Sequence, residues 1–312
     1  NTMKRFFTSL LMVLAVSLPA ANAPPAHAQD SGLSFLALGV DAEGLARGDA
    51  GVAHAKGAFA TYWNPAGLAH GISEIGVAHH VWVGDIRTYA FNGAFSLGPR
   101  SGVGVAVVAT GAGDLEARQQ PGDSDGLFDA QFVSAGVSLG HQLGRLRAGI
   151  SAKYLSERIF TNSANGYGFD IGLQADFLDE SVHLGAVMAN LGKMEQLNVE
   201  ATELPRLLRI GIEVFPFRAV TALDGEIFLS TSFLAEVSRN YVTDRTQWHL
   251  GLSAEVLETV TARVGYLSDD FLRDMSAGVG IEVADLWFDY AVLPFEDGFG
   301  GPAHILSLRY GF

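Results

Sequence analysis

From residue 72 to the last residue, apolar side chains alternate with polar or small ones in one segment after another. The clearest segment runs from Arg245 to Val256. One face carries Thr246, Trp248, Leu250, Leu252, Ala254 and Val256, and the other carries Arg245, Gln247, His249, Gly251, Ser253 and Glu255. Alternation over about ten residues is typical of a transmembrane β-strand that shows its apolar face to lipid and its polar or small face to the lumen of a barrel.

Turn residues divide this region into about fourteen such segments, an even number that fits a closed antiparallel β-barrel. The predicted strands are 72–83, 86–97, 102–112, 129–142, 145–156, 166–178, 181–191, 206–217, 219–236, 245–257, 259–268, 274–285, 286–294 and 303–312. Longer connections are expected at 113–128, 156–165, 192–204 and 296–302. Short and long connections alternate, as periplasmic turns and extracellular loops do in outer-membrane barrels.

The first residues have the pattern of a secretory signal peptide. Lys4 and Arg5 precede an apolar run from Phe6 to Leu18, and Ala26-His27-Ala28 offers a small-x-small cleavage site. The run is short for a membrane span, and the absence of cysteine excludes a lipoprotein. We therefore expect residues 1–28 to be a signal peptide and the protein to reside in a bacterial outer membrane as a barrel.

Composition excludes some classes of partner and site. The formal net charge of −14 argues against a nucleic-acid partner, because phosphate binding needs a basic surface. Without cysteine, neither disulfides nor thiolate metal sites can form. Only 17% of the residues are charged, which suits a surface that faces lipid.

Residues 29–71 separate the signal peptide from the barrel at 72–312, and we expect them to form a compact, partly helical hatch in the lumen. Their glycines rule out a long stable helix. The core of the segment is the box Trp63, Asn64, Pro65, Ala66, Gly67 and Leu68. Asn64 can cap a helix whose first residue is Pro65, since proline lacks the N–H that would be unpaired there. Taken alone, the box would be better explained as an ordinary connecting loop, and the export signal before it and the strands after it favour the hatch.

The predicted inward faces combine small and charged residues. The inward glycines are Gly149, Gly251, Gly265, Gly278 and Gly280, the cations are Arg147, Lys153, Arg209, Arg263 and Arg309, and the acids are Glu213, Glu255, Glu282 and Asp289. The glycines would let a hatch approach the wall closely. The charges would either pair between hatch and wall or line an aqueous conduit.

No motif predicts an enzyme. The sequence has no nucleophile elbow, zinc helix or phosphate-binding loop, and no catalytic residue, metal or cofactor is assigned. His79 and His80 are adjacent in a predicted strand and so point to opposite faces, which prevents easy sharing of a metal. The Asp- and Gly-rich residues 121–126 are better explained as a solvated turn than as a Ca²⁺ loop.

The C-terminal segment ends on an aromatic residue at the end of a strand. Leu306, Leu308, Tyr310 and Phe312 share one face, which predicts an apolar stripe with an aromatic anchor at the membrane interface. This pattern is similar to the C-terminal signal that the barrel-assembly machinery of the outer membrane recognises. Outer-membrane lipid and that machinery are therefore expected partners.

Residues 35–53 and 60–68, with their "GDAGVA" block and "WNPAGL" box, resemble the N-terminal region of the PorV/PorQ family. That family is related to the FadL long-chain fatty-acid transporters. Gly44-Leu45-Ala46-Arg47-Gly48 departs from the family pattern. The resemblance implies a fourteen-stranded barrel with the Asn64-Pro65-Ala66 box in a lumenal hatch.

The resemblance implies two non-enzymatic functions. A PorV-type protein serves type IX secretion and surface attachment by binding the C-terminal domains of exported cargo and other secretion-system subunits. A FadL-type protein passes hydrophobic small molecules such as long-chain fatty acids through its barrel wall. The family motif favours the secretion function, and the polar or small lumenal faces count slightly against an apolar tunnel.

Overall fold

The computed structural model describes residues 32–117, 126–178, 180–198, 200–220, 227–296 and 300–312. Within these residues, fourteen antiparallel strands form one closed barrel in which β1 pairs with both β2 and β14. The strands are β1 Glu74–Val81, β2 Arg87–Ser96, β3 Ser101–Ala117, β4 Gly126–Leu143, β5 Leu146–Ile159, β6 Asn162–Phe177, β7 Val182–Met194, β8 Leu207–Val220, β9 Ile227–Asn240, β10 Arg245–Val256, β11 Val260–Leu267, β12 Met275–Val283, β13 Leu286–Leu293 and β14 Ala303–Gly311.

Each predicted strand corresponds to one observed strand, so the barrel prediction is confirmed. Three boundary predictions were wrong. Residues 113–128 were predicted as a loop, but β3 extends to Ala117 and β4 begins at Gly126. Residues 156–165 are mostly the paired ends of β5 and β6. The predicted strand 219–236 is instead the end of β8 and β9, which runs from Ile227 to Asn240.

The first two errors have one physical cause. Above the apolar belt, the outward positions of these strands become polar, as at Glu116, Gln131, Arg158 and Ser163. The apolar–polar alternation that marks a lipid-facing strand is therefore lost, although the backbone hydrogen bonding continues. The wall is consequently uneven in height, with 18 residues in β4 and 8 in β1.

The outer surface of the barrel is apolar. On β10, the outward residues Trp248, Leu250 and Leu252 are 44%, 37% and 50% exposed, whereas His249 and Ser253 are buried inside, as predicted. Outward aromatic residues form a girdle near one end of the strands: Tyr89, Tyr154, Tyr167, Trp248, Tyr266 and Tyr290. An apolar belt with an aromatic girdle suits a lipid bilayer.

Within the described residues, no helix has the length and apolar character needed to cross a membrane.

The two ends of the barrel differ in their connections. We call one the loop end, where the connections 82–86, 195–206, 268–274 and 294–302 lie. The other is the turn end, where the strands are joined at 97–100, 144–145, 257–259 and 284–285. The segments predicted as a signal peptide (1–28) and a solvated turn (121–126) lie outside the described residues, apart from Gly126 at the start of β4.

Residues 33–71, which we call the hatch, pack inside the barrel. Among the described residues its ordered elements are short: a 3₁₀ turn at Ser34–Ala37, helix α1 at Ala42–Ala46, helix α2 at Ala60–Trp63 and a 3₁₀ helix at Pro65–His70. Asp41 caps α1 by accepting a 2.9 Å hydrogen bond from the N–H of Gly44. The expectation of short turns instead of one long helix is confirmed.

Candidate functional site

Trp63 is the centre of the hatch. Its ring is 5% exposed, and its Nε1 donates a 2.5 Å hydrogen bond to the carboxylate of Asp41. A Cβ added at Gly39, Gly44 or Gly51 would lie 2.4–2.7 Å from the indole. Such distances are sterically forbidden, so the glycines of the hatch are needed where the chain wraps around Trp63.

Asn64 joins the hatch to the wall and is completely buried. Its Oδ1 accepts the N–H of Ala66 at 3.1 Å and so caps the 3₁₀ helix that begins at Pro65, as the sequence predicted. Its amide group donates to the carbonyl of Val52 in the hatch at 3.1 Å and to the wall carbonyls of Leu173 and Ala186 at 3.0 and 3.3 Å. One side chain therefore orients both the box and its docking surface.

The wall lacks side chains where the hatch backbone approaches it. A Cβ at Gly149 would lie 2.2 Å from the carbonyl carbon of Pro65, and one at Gly265 would lie 1.9 Å from the nitrogen of Gly48. The hatch backbone also lies close to Gly102, Gly140, Gly185 and Gly251, and the side chains of Asn64 and Ala46 lie close to Gly172 and Gly278. The prediction that inward glycines admit the hatch is confirmed for Gly149, Gly251, Gly265 and Gly278. Gly280 instead faces the side chains of Arg263 and Asp289.

Buried ion pairs connect the hatch to β8 and β9. Arg47 donates to the carboxylate of Glu213 at 2.9 Å. Arg209 donates to the backbone carbonyl of Asp49 and to Glu236, both at 3.0 Å. The other carboxylate oxygen of Glu236 accepts the N–H groups of Gly51 and Val52 at 3.1 Å each. Of the two explanations for the lumenal charges, pairing between hatch and wall accounts for these contacts.

Asp49 is the point where the hatch meets the loop end. Its carboxylate accepts a 2.7 Å hydrogen bond from Arg273, which lies in the connection between β11 and β12. Burial alone would raise the pKa of Asp49, but the guanidinium groups of Arg273 and Arg209 outweigh it and hold the pKa below its usual value. Arg273 also pairs with Asp270 and lies over the ring of Trp82.

An apolar chamber of about 680 Å³ lies between the hatch and the loop end. Its hatch side is formed by Leu33, Phe35 and Leu38, and its wall by Ala112, Leu115, Ala130 and Phe132. The connections at the loop end complete it with Trp82, Ile86, Leu272 and Phe295. Among the described lining residues the charged side chains are Arg273 and Asp270, and these pair with each other at 3.3 Å.

The wall of this chamber contains a β-bulge. The β3–β4 ladder pairs Ala112 with Ala130 and next pairs Leu115 with Phe128, so Gly113 and Asp114 face the single residue Asp129. Asp114 has a positive φ of 55°, and its N–H is bonded to the side chain of Asp129 at 3.3 Å. A bulge interrupts the regular ladder, and this one lies between two residues that line the chamber.

A second cavity, of about 190 Å³, lies on the turn-end side of the hatch and is polar. Its lining includes Arg47, His54, Glu213, Ser253 and Arg309. The two cavities share no described lining residue, because the hatch lies between them. The structure thus has an apolar compartment on one side of the hatch and a polar one on the other.

The C-terminal residues lie on the outer surface. Leu306, Leu308 and Tyr310 are 43%, 38% and 44% exposed on β14, and Phe312 is 65% exposed next to Phe95. The apolar stripe is thus where the sequence placed it, and its recognition by assembly machinery stays a prediction. His80 lies inside and His79 outside, as expected of neighbours in a strand. Within the described residues, no group of three or more potential ligands is arranged to hold a metal ion.

The chamber was not predicted from the sequence. Its inward-facing residues on β4, Ala130 and Phe132, are apolar, whereas the outward Asp129 and Gln131 are polar. This reversal of the usual polarity was the available signal. The remaining lining comes from β2, β3, the start of the hatch and separate connections, which alternation within strands cannot bring together.

Comparisons with known proteins identify the fold. No family model matches the sequence, and no curated protein matches it. The toluene transporter TbuX of Ralstonia pickettii is 14% identical with a TM-score of 0.60, covering 88% of this chain and 98% of that chain. The monoaromatic hydrocarbon channel CymD is 12% identical with a TM-score of 0.61, covering 91% and 99%. The toluene transporter TodX of P. putida is 11% identical with a TM-score of 0.58, covering 88% and 99%.

These similarities show that the chain has the same barrel fold as those three proteins. At such low sequence identity they show a shared fold but do not identify the substrate of this protein. The PorV/PorQ resemblance has no supporting family match and stays a prediction.

Proposed function

We propose that this protein is an outer-membrane channel of the FadL-like type that passes neutral hydrophobic small molecules. The observation that carries the proposal is the apolar chamber between hatch and loop end. Its volume of about 680 Å³ falls in the range of small-molecule pockets, roughly 300–1,000 Å³. An apolar cavity of about 150 Å³ can hold benzene, so the chamber has room for a substituted aromatic ring or a longer hydrocarbon.

The charges around the chamber favour a neutral solute over a fatty-acid anion. Arg273 is the cation among the described lining residues, and it is already engaged by Asp49 and Asp270. A carboxylate ligand would have to displace one of these acids. A neutral hydrocarbon needs no such exchange and is stabilised simply by leaving water. The similarity in fold to a toluene transporter and a monoaromatic hydrocarbon channel supports this substrate class.

The bulge in β3 offers a lateral route out of the chamber. Straight passage through the lumen is blocked by the hatch, and the compartment beyond it is charged. An apolar solute would lose its favourable surroundings there. At Gly113 and Asp114 the regular ladder of the wall is already interrupted beside the chamber. Exit at that point would deliver the solute to the edge of the apolar belt, because the outward residues Asp129 and Gln131 beside the bulge are already polar.

The test is uptake of radiolabelled toluene into proteoliposomes. Ala112→Trp places an indole in the chamber, and we expect it to reduce the uptake rate at least several-fold. Ala109→Trp is the matched control, since it adds the same ring to the outward face of the same strand. Wild-type uptake no faster than that of empty liposomes would refute the proposal, and oleate supplied in parallel tests the preference for neutral solutes.

A second candidate is the PorV/PorQ-type function in type IX secretion, and the resemblance of residues 35–53 and 60–68 favours it. In that case the secreted cargo would bind to the outside of the barrel at the loop end, and the chamber would be irrelevant. Ala112→Trp then separates the two functions. It should leave surface display of cargo unchanged if the protein is a secretion component, whereas deletion of the gene should abolish display.

A further inference from the structure

Two histidine rings stack face to face between hatch and wall. His54 of the hatch and His183 of β7 have ring centroids 4.1 Å apart and an interplanar angle of 5°. Both rings meet the edge of Phe215 on β8. Each ring also has an acid at its Nδ1, which is Glu213 for His54 at 3.4 Å and Asp176 for His183 at 2.8 Å.

The charges around this stack are already balanced without protonated histidines. Glu213 is paired with Arg47 at 2.9 Å, and Asp176 is paired with Arg147 of β5. The other titratable groups facing the pair are Lys56 and His70, both on the hatch. Burial and the nearby Arg147 lower the pKa of His70 to about 3, so it stays neutral above pH 4. A proton on His54 would therefore add a cation beside acids that are each already paired with an arginine, with Oε2 of Glu213 as the acceptor that has no other hydrogen-bond partner in the described part of the chain.

The stack holds a short segment of the hatch, residues 53–57. On one side of the segment, the N–H of Val52 is fixed by Glu236 at 3.1 Å. On the other, the N–H of Ala58 is fixed by Glu74 at 2.7 Å. Between these anchors, His54 contacts the wall through its stack on His183, the edge of Phe215 and the carboxylate of Glu213, and the carbonyl of Ala55 accepts a 3.1 Å hydrogen bond from Gln174. Ala53 also packs against Leu234 and Gly185 of the wall. Most of the polar contacts between this segment and the wall are therefore made by His54.

The polar cavity at the turn end gives this segment access to water. His54, Lys56 and Glu213 line it, and so do the buried Nε of Arg47 and Oγ of Ser253, which have no hydrogen-bond partner in the protein. The volume of about 190 Å³ holds about six water molecules, each of which occupies roughly 30 Å³ in the liquid. Protons can reach His54 through this water.

We propose that the His54–His183 stack is an acid-sensitive dock, which releases residues 53–57 from the wall when the compartment at the turn end is acidified and so widens the polar cavity. The release is local, because the anchors at Val52 and Ala58 do not involve histidine. It is also independent of which solute the barrel passes. Two inward-facing wall histidines behave differently: His80 and His249 face the hatch carbonyls of Val40 and Gly48, and protonation preserves an N–H donor there.

The pH range follows from the direction of the shift. Burial lowers the pKa of His54 below its usual value of about 6.5, so the docked segment binds fewer protons than the released one. Docking is therefore complete above about pH 6.5 and weakens as the pH falls below it. The proton that His54 takes up on release weakens docking by at most about ten-fold per pH unit below 6.5, which is at most roughly 30-fold at pH 5.

A spin label on Lys56→Cys measures the release. Lys56 is exposed, and the natural chain has no cysteine, so the label is unique. In the full-length protein in nanodiscs, we expect an immobilised spectrum at pH 7.5 and a growing mobile fraction towards pH 5. His54→Phe keeps an aromatic ring in the stack but cannot be protonated, and its spectrum should stay immobilised at pH 5.

His79→Phe is the matched control, because His79 stacks on Tyr89 at the outer surface. It should retain the full response to pH, and loss of that response would overturn the proposal. So would a wild-type label that is equally mobile at both pH values, or a His54→Phe protein that responds like the wild type. Heat-modified migration in gels at pH 7.5 verifies that each variant is folded. If His54→Phe does not fold, His54→Gln, which likewise cannot be protonated, replaces it with the same expected result.

Discussion

Replacing Asn64 by aspartate changes the amide NH2 group, which joins the hatch to the wall, into a carboxylate oxygen. The amide nitrogen of Asn64 donates to the carbonyls of Val52, Leu173 and Ala186 at 3.0–3.3 Å. An ionised aspartate would place a second negatively charged oxygen against three carbonyl oxygens in a completely buried position. The hatch of the variant can dock only if the carboxyl group of the aspartate is protonated. In that state, its single O–H group replaces the two N–H donors of the Asn64 amide.

The cost follows from the ordinary ionisation of aspartate. Keeping a carboxyl group with a pKa of about 3.9 neutral at pH 7 costs about 4 kcal/mol. Losing one of the two donors costs about a further 1 kcal/mol. The docked hatch should thus be destabilised by about 5 kcal/mol, which corresponds to at least a ~1,000-fold larger open fraction. The open fraction of the variant should rise about a further ten-fold from pH 7 to pH 8, because keeping the carboxyl group protonated becomes harder.

A single buried cysteine reports the open fraction. Ala69 is completely buried in the 3₁₀ helix that follows Asn64, and Ala69→Cys can react with a small thiol reagent only when the hatch opens. We expect Asn64→Asp to react about 1,000-fold faster than the parent until the hatch is open all of the time. The ratio of the two rates should rise with pH, which removes the pH dependence of the thiol itself.

Asn162→Asp is the control, because Asn162 is exposed at the tip of the β5–β6 hairpin. It should react like the parent at every pH. The reasoning is refuted if Asn64→Asp reacts within ten-fold of the parent while its barrel is folded. A large effect without pH dependence would show that the variant does not dock through a protonated carboxyl group.

Two further substitutions test the docking surface with the same cysteine reporter. Gly149→Val should form the barrel but displace the hatch, because a Cβ there lies 2.2 Å from Pro65. Overpacking of this kind costs at least about 1–3 kcal/mol. Ala148→Val, on the outward face of the same strand, should leave the reactivity of the cysteine unchanged. Arg273→Gln leaves Asp49 buried without its nearest cation, so we expect the docked hatch to be destabilised by about 3–5 kcal/mol. The double variant with Asp49→Asn should recover part of this stability, and the lack of any recovery would contradict a direct pair.

The box in the hatch shows how far sequence reasoning reached. Asn64 and Pro65 were identified as a helix start from their own chemistry, and that start is present. The hydrogen bonds from Asn64 to Leu173 and Ala186 could not be predicted, since those residues lie more than a hundred positions away and offer only backbone carbonyls. Because every residue has a backbone carbonyl, the sequence does not show which carbonyls will accept these hydrogen bonds.

The histidine pair shows the same limit. His54 lies in an irregular segment and His183 near the start of a strand, and neither belongs to a motif. Their stacking depends on how the hatch turns within the closed barrel. The wall glycines were easier to anticipate, because an inward glycine in a strand leaves space for an approaching backbone whatever that backbone is.

Alternation over some ten residues, repeated fourteen times, determined from the sequence alone that this chain forms a lipid-facing barrel with a small-residue interior. The reason is that successive side chains of a strand point to opposite faces, so neighbouring residues in the sequence show which face contacts lipid and which faces the lumen. Where solutes can lie was decided only by the tertiary structure. The chamber takes its apolar surface from the hatch, two strands and separate connections, and only closure of the barrel around the hatch brings these together.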